Sequence, residues 1–144
     1  MFSKLITLFR VPTNDKILII QLLLRLLYCS VIIKIRSFKK LAPKIGIEGV
    51  EVSEEDDKTH ELYLRKVAYF TVRVAKYIPW PCLCLAQAIA VKGLLEKKGI
   101  PSTMYLGLNK VGSEMKAHAW LRCGSRIVTG KSGYESFSVI SKFT

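Results

Sequence analysis

The sequence predicts an α+β domain. Helical patterns fill the chain as far as Lys98, and alternating strand patterns follow from Ser102 onward. The helix that begins at Cys84 is apolar on most of its faces, so other layers must cover it. A chain of 144 residues fits one compact body. Half of it is hydrophobic and 24% is charged, which supplies a core and argues against compositional disorder.

Lys and Arg outnumber Asp and Glu by 23 to 11, a balance that suits an anionic partner such as nucleic acid, a membrane surface or an acidic peptide. Residues 1–44 carry Lys4, Arg10, Lys16, Arg25, Lys34, Arg36, Lys39, Lys40 and Lys44 against one acid, Asp15. Most acids cluster between Glu48 and Glu61. No basic run is interleaved with aromatics, and neither a zinc-finger spacing nor a glycine-rich phosphate loop is present. Nucleic-acid binding is therefore not expected.

The first helix is expected over Ile17 to Ile35, where Gln21, Arg25 and the Tyr28–Cys29 step make a narrow polar stripe on an apolar cylinder. It is only just long enough to span a bilayer, with Arg25 near the middle. A helix buried in the domain or docked on a partner is preferred to a span. Basic residues at both ends leave peripheral membrane contact open. No small-residue cleavage site follows the apolar run, and the bulky Tyr28 before Cys29 does not suit lipid attachment, so a cytoplasmic location is expected. There Cys29, Cys82, Cys84 and Cys123 are expected as thiols. Residues 1–50 are read as an apolar and basic helical segment that serves contacts, and residues 51–144 as the domain that serves chemistry.

The second helix is expected to start at Ser53, with Asp56 completing a capping box and Glu54 to Asp57 placing negative charge on the first turn. That explains the acid cluster without a metal. The helix runs through Leu62, Val67, Phe70, Val74 and Ile78 and stops at Pro79-Trp80-Pro81. The third starts at Cys84 and ends at Gly99, with Pro101 just beyond. Strands are expected over Ser102 to Leu108, Met115 to Cys123, Arg126 to Thr129 and Phe137 to Ile140, with a tight turn at Gly124-Ser125. In the second strand Ala117, Ala119, Leu121 and Cys123 share one face, and Lys116, His118, Trp120 and Arg122 the other.

Cys84 opens a buried helix, where unpaired amides and the helix dipole favour the attacking thiolate. A cysteine nucleophile needs a histidine to share its proton, and the candidates are His118, mid-strand beside Trp120, and His60, on the solvated first turns of the acidic helix. On the residues alone, a small buried Cys84 and a packed strand His118 fit equally well. Cys82, Cys84, Cys123 and His118 could also form a metal set, but Cys-x-Cys across a helix start is not a common zinc spacing. No metal and no cofactor is expected.

The stretch CLAQAIAVKGLLEKKGIPSTMYLGL, followed by MKAHAWLRCGSRIVTG, resembles the leader peptidase of lasso-peptide biosynthesis, a microcin-processing family with a transglutaminase-like core. Cys84-Leu85, Ala88, Ala90, Leu94-Leu95, Gly99-Ile100-Pro101, Gly107 and Ala117-His118-Ala119-Trp120 carry the resemblance, over about residues 53–144. It implies a papain- or transglutaminase-like fold, Cys84 as nucleophile and His118 as base. It further implies a lasso-peptide precursor as substrate, usually with Thr at the penultimate leader position, a separate small leader-binding protein, and a separate ATP-dependent cyclase that closes the ring. The family's acid, which orients the histidine, would fall near Gly130. Thr129, Ser132, Glu135, a backbone carbonyl or a water would have to replace it, and an Asp at 130 would be expected to hold or raise activity. Two readings of other kinds stay open: a non-catalytic scaffold of the same fold, and a basic membrane- or nucleic-acid-binding module.

Overall fold

The computed structural model describes residues 11–55 and 58–144. Helix α1 is Thr13–Ile35, α2 Phe38–Ile45, α3 Glu61–Ala75 and α4 Cys84–Lys97. Strands β1 (Thr103–Val111), β2 (Glu114–Cys123), β3 (Arg126–Thr129) and β4 (Ser138–Phe143) form one antiparallel sheet in the order β3-β2-β1-β4. The architecture is α+β, with helices on one face of the sheet, as the order of elements in the sequence implied.

Helix α4 is central because its apolar residues point in several directions. Ala88, Val91, Leu94 and Leu95 join Met104, Ala119, Leu121, Val128 and Phe143 of the sheet in the main core. Ala86 and Ala90 join a second cluster with Leu26, Cys29, Val74 and Ile78. Helix α4 ends as expected: the Gly99 amide donates to the Glu96 carbonyl at 2.9 Å and the Ile100 amide to the Leu95 carbonyl at 3.0 Å.

Helix α1 is long and apolar enough, by length and composition, to cross a membrane, yet one face of it is a wall of this core. Leu18 and Leu22 belong to the main cluster and Leu26 and Cys29 to the second. An ion pair of 2.7 Å joins Asp15 to Lys66 of α3. The Arg25 guanidinium lies against Gly93 of α4, 2.8 Å from where a Cβ would stand. Residues 11–50 and the remainder thus share one core, and truncation of Leu22 or Leu26 to alanine should cost about 2–5 kcal/mol of stability.

Within the helical segment expected over residues 1–50, residues 38–45 form a second helix, α2, which the sequence reading did not set apart; Leu41 and Ile45 are buried and Phe38 is edge-on to Phe143 at 5.9 Å. The hydrogen bond that Pro43 removes from so short a helix is outweighed by that burial. One expectation needs correction: Ser53 does not cap the next helix. Its hydroxyl accepts the Glu55 amide at 3.1 Å in a local turn, a 3-10 turn spans Lys58–His60, and α3 begins at Glu61. The proposed capping partner, Asp56, and its neighbour Asp57 lie outside the described residues. Glu61 itself is held by Arg65 and Arg126, which ties the start of α3 to β3.

The segment before α3 is anchored by a buried arginine that the alternation pattern did not mark. Arg122 is 8% exposed and donates to the Glu51 carboxylate at 2.7 Å, the Val52 carbonyl at 2.9 Å and the Gly124 carbonyl at 2.7 Å. Lys142 and the Tyr105 hydroxyl also bond Glu51. Hydrogen bonds from Lys142 and Tyr105 hold the Glu51 carboxyl down at about 2, from an ordinary 4.5. A depressed folded-state pKa contributes stability that is complete above the unfolded value and is lost as pH falls toward the folded one. The urea midpoint should therefore drop on acidification from about pH 5 toward about pH 2, and Glu51→Gln should flatten that drop while lowering the midpoint at neutral pH. Urea titrations of the two proteins across this range check it.

Candidate active site

The approach to Cys84 is set by α1 and by two prolines. Helix α3 ends at Ala75, short of the Ile78 expected from the sequence, and a turn leads to Pro79-Trp80-Pro81. The Trp80 indole N–H donates to the Ser30 hydroxyl of α1 at 2.9 Å, while Ser30 donates to the Leu27 carbonyl at 2.9 Å. The chain then runs extended at Leu83 (φ −65°, ψ 158°) and turns helical at Cys84. The Leu83 carbonyl accepts the Gln87 amide at 3.1 Å, and the Gln87 side chain reaches back to the Cys82 carbonyl at 2.9 Å. No side chain caps the first turn, which leaves its amides open to an anion beside Cys84.

All four cysteines are free thiols. Cys84 is half-buried against the main core. Burial raises the thiol of Cys82, and raises that of Cys29 to about 11, so both are poor nucleophiles near neutral pH. Cys123 is buried and its thiol donates to the Pro101 carbonyl at 3.2 Å. Among the described residues no group of three or more Cys, His, Asp or Glu side chains converges as a metal site. Cys82, Cys84, Cys123 and His118 do not come together in this structure.

His118 stands midway along β2, paired across the ladder with Gly107 of β1. Its ring lies between Phe137 (centroids 5.1 Å apart) and Trp120 (5.9 Å), and Trp120 stacks on Tyr105 at 5.5 Å. Gly107 makes room for this cluster, since a Cβ there would come within 2.8 Å of both Trp120 and Phe137. Tyr134, whose ring lies 5.7 Å from that of Trp120, and Phe137 come from the segment between β3 and β4. The sequence placed Phe137 at the start of the last strand and gave neither residue a part in the site, since no periodicity ties them to β2. Gly107 was noticed only through the family resemblance.

The histidine is held by the backbone. Its Nε2 lies 2.7 Å from the Gly130 carbonyl oxygen. A carbonyl only accepts, so Nε2 carries the hydrogen and neutral His118 keeps its lone pair on Nδ1. Of the replacements the sequence left open for the missing acid, a backbone carbonyl holds the ring, and it is that of Gly130 itself, the residue whose lack of a side chain raised the question. An Asp at this place is also ruled out. Gly130 has φ +72°, and a Cβ there would collide with the Ala119 carbonyl oxygen and come within 2.8 Å of the Trp120 Cβ. The other candidates do not act: Ser132 and Glu135 are exposed, and Thr129, 4% exposed, has no hydrogen-bond partner for its hydroxyl among the described residues.

Cys84 and His118 lie on two packed elements, yet no hydrogen bond joins them among the described residues. The β2 residues that share a core with α4 are Ala119, Leu121 and Cys123, and His118 alternates with them along the strand. His60 sits in the 3-10 turn before α3 and lines a cavity of about 710 Å³ with Glu61, Cys123 and Arg126, apart from Cys84 and His118.

No curated protein and no solved structure matches the chain. Residues 29–142, from the middle of α1 to the end of β4, match the transglutaminase-like superfamily, which includes cysteine peptidases. A central helix opened by a cysteine and packed on an antiparallel sheet that carries a histidine accords with that match, and the chain belongs to the transglutaminase-like superfamily.

Proposed function

We propose that this chain is a cysteine peptidase that removes the leader from a lasso-peptide precursor. The observation that carries the reading is Cys84 at the uncapped start of α4, within a transglutaminase-like domain whose strand histidine is fixed in one tautomer through Gly130. The Cys84 thiol gives its proton to Nδ1 of His118, the thiolate attacks the scissile carbonyl carbon, and the oxyanion accepts the Cys84 amide hydrogen at the open helix end. The C–N bond breaks as that proton passes from Nδ1 to the leaving amine of the core peptide. Water, deprotonated by Nδ1 of His118, then cleaves the thioester, and the leader leaves as a carboxylate. The reaction requires Sγ and Nδ1 within hydrogen-bond reach of one another in the loaded enzyme.

No segment among the described residues is set aside for gripping a leader, and on this reading a separate small leader-binding protein delivers the precursor and an ATP-dependent cyclase takes the released core. The chain works in the cytoplasm on this reading. Incubation with precursor should give slow cleavage alone and cleavage faster by about tenfold or more with the leader-binding protein, read by the masses of leader and core. Full activity of the chain alone at low precursor concentration would contradict the division of labour. One observation favours a second reading, a non-catalytic scaffold of the same fold: His118 alternates with the residues facing α4 and is not bonded to Cys84. On that reading no leader is released under any of these conditions.

A further inference from the structure

One face of α1 fills the core, and the opposite face is covered by nothing among the described residues. Ile17, Ile20, Leu24, Tyr28, Val31 and Ile35 recur every three or four residues and are between 40% and 72% exposed. The stripe holds no charge and extends about 27 Å along the helix. Directly after its C-terminal end come the exposed Arg36, Lys39, Lys40 and Lys44, the lysines lying on α2 outside its buried Leu41 and Ile45. A long apolar ridge with a cationic flank, on a chain of net charge +12, fits an interface that is apolar beneath and anionic above.

We infer that this face of α1 docks on an anionic lipid surface, with the stripe among the acyl-chain ends and the α2 lysines against the headgroups. The helix lies along the membrane and does not cross it, because Leu18, Leu22, Leu26 and Cys29 on its other side are committed to the core. A second copy of the chain is a poor occupant, since it would bring two cationic flanks together. Nucleic acid would meet the lysines but not the apolar ridge. The docked chain would present α4 and the sheet, on the far side of α1, to soluble partners.

Flotation of the full chain with vesicles tests this, using phosphatidylcholine alone and phosphatidylcholine mixed with phosphatidylglycerol. The chain should float with the mixed vesicles, and its partitioning into the neutral ones should be lower by about tenfold or more. Leu24→Glu with Tyr28→Glu, and Leu24→Ser as a milder variant, should cut flotation by about tenfold or more without moving the thermal midpoint, because both positions are exposed. Lys39→Glu with Lys40→Glu should remove the preference for phosphatidylglycerol. Wild-type protein that floats with neither vesicle overturns the inference, whether the stripe then proves to hold an acidic protein, a second copy or residues 1–10. Flotation that survives the stripe substitutions overturns it equally.

Discussion

Cys84→Ala should abolish leader cleavage, and Cys82→Ala should leave most of it. The two thiols are two residues apart and chemically alike, so the difference between them comes from their surroundings. Cys82 precedes the helix, its carbonyl is tied by Gln87, and burial keeps its thiol protonated. Cys84 is the first residue of α4, beside first-turn amides that no side chain caps. The loss in Cys84→Ala should reach several orders of magnitude, because a nucleophile and its base fail as a unit; His118→Ala should cost nearly as much. Initial cleavage rates of the three variants decide the assignment. Alkylation offers a parallel reading. Brief iodoacetamide treatment of folded protein near neutral pH should label Cys84 ahead of Cys29, Cys82 and Cys123, which fragment masses distinguish. A dead Cys82→Ala beside an active Cys84→Ala would overturn both the helix-end argument and the alignment of the motif.

Gly130→Asp should destabilise the protein instead of improving it. Judged by sequence, the substitution restores a lost acid; in three dimensions it places a Cβ into the Ala119 carbonyl at a φ of +72°, where L residues are strained. Strain and overpacking together should cost about 3 kcal/mol or more, a fall of roughly 10 °C in thermal midpoint. Gly130→Ala should show most of the same loss, since the backbone and the Cβ cause it and the carboxylate does not. Moving β3 away would also displace the carbonyl that holds His118, so cleavage should fall in whatever protein remains folded. Thermal melts of the two variants beside wild type check this. A Gly130→Asp protein of unchanged midpoint and raised activity would show that the ring is oriented in some other way.

The start of helix α4 and both ends of strand β3 were legible to the residue, and the end of α4 to within two, because each signal was local. The proline break, the Gly99 cap and the Gly124-Ser125 turn all lie at the ends they define. Helix α2 fell inside the helical segment read over residues 1–50 but received no bounds of its own, since with Pro43 in it local propensity is weak and Leu41 and Ile45 hold it by sinking into a distant core. The late start of α3 was hidden for the opposite reason: an attractive capping pattern at Ser53 competes with ties from Arg122 to Glu51 and Val52, which span some seventy residues. For the site, the order and type of residues pointed to Cys84 and His118 as candidates. A backbone carbonyl was one of several holders of the ring left open, and the sequence did not single out that of Gly130, because a backbone acceptor leaves no mark in side-chain identity.

The claim that Cys84 attacks the precursor is tested most directly by trapping what it would carry. Precursor, leader-binding protein and this chain are mixed, quenched in acid during turnover, and the protease-digested chain is weighed and fragmented. Hydroxylamine, added to a second portion, releases thioesters. The account predicts a hydroxylamine-sensitive adduct of the leader acyl mass on Cys84, absent from Cys84→Ala and retained in Cys82→Ala. Cleaved leader in solution with no adduct on Cys84, or an adduct that persists in Cys84→Ala, would contradict it.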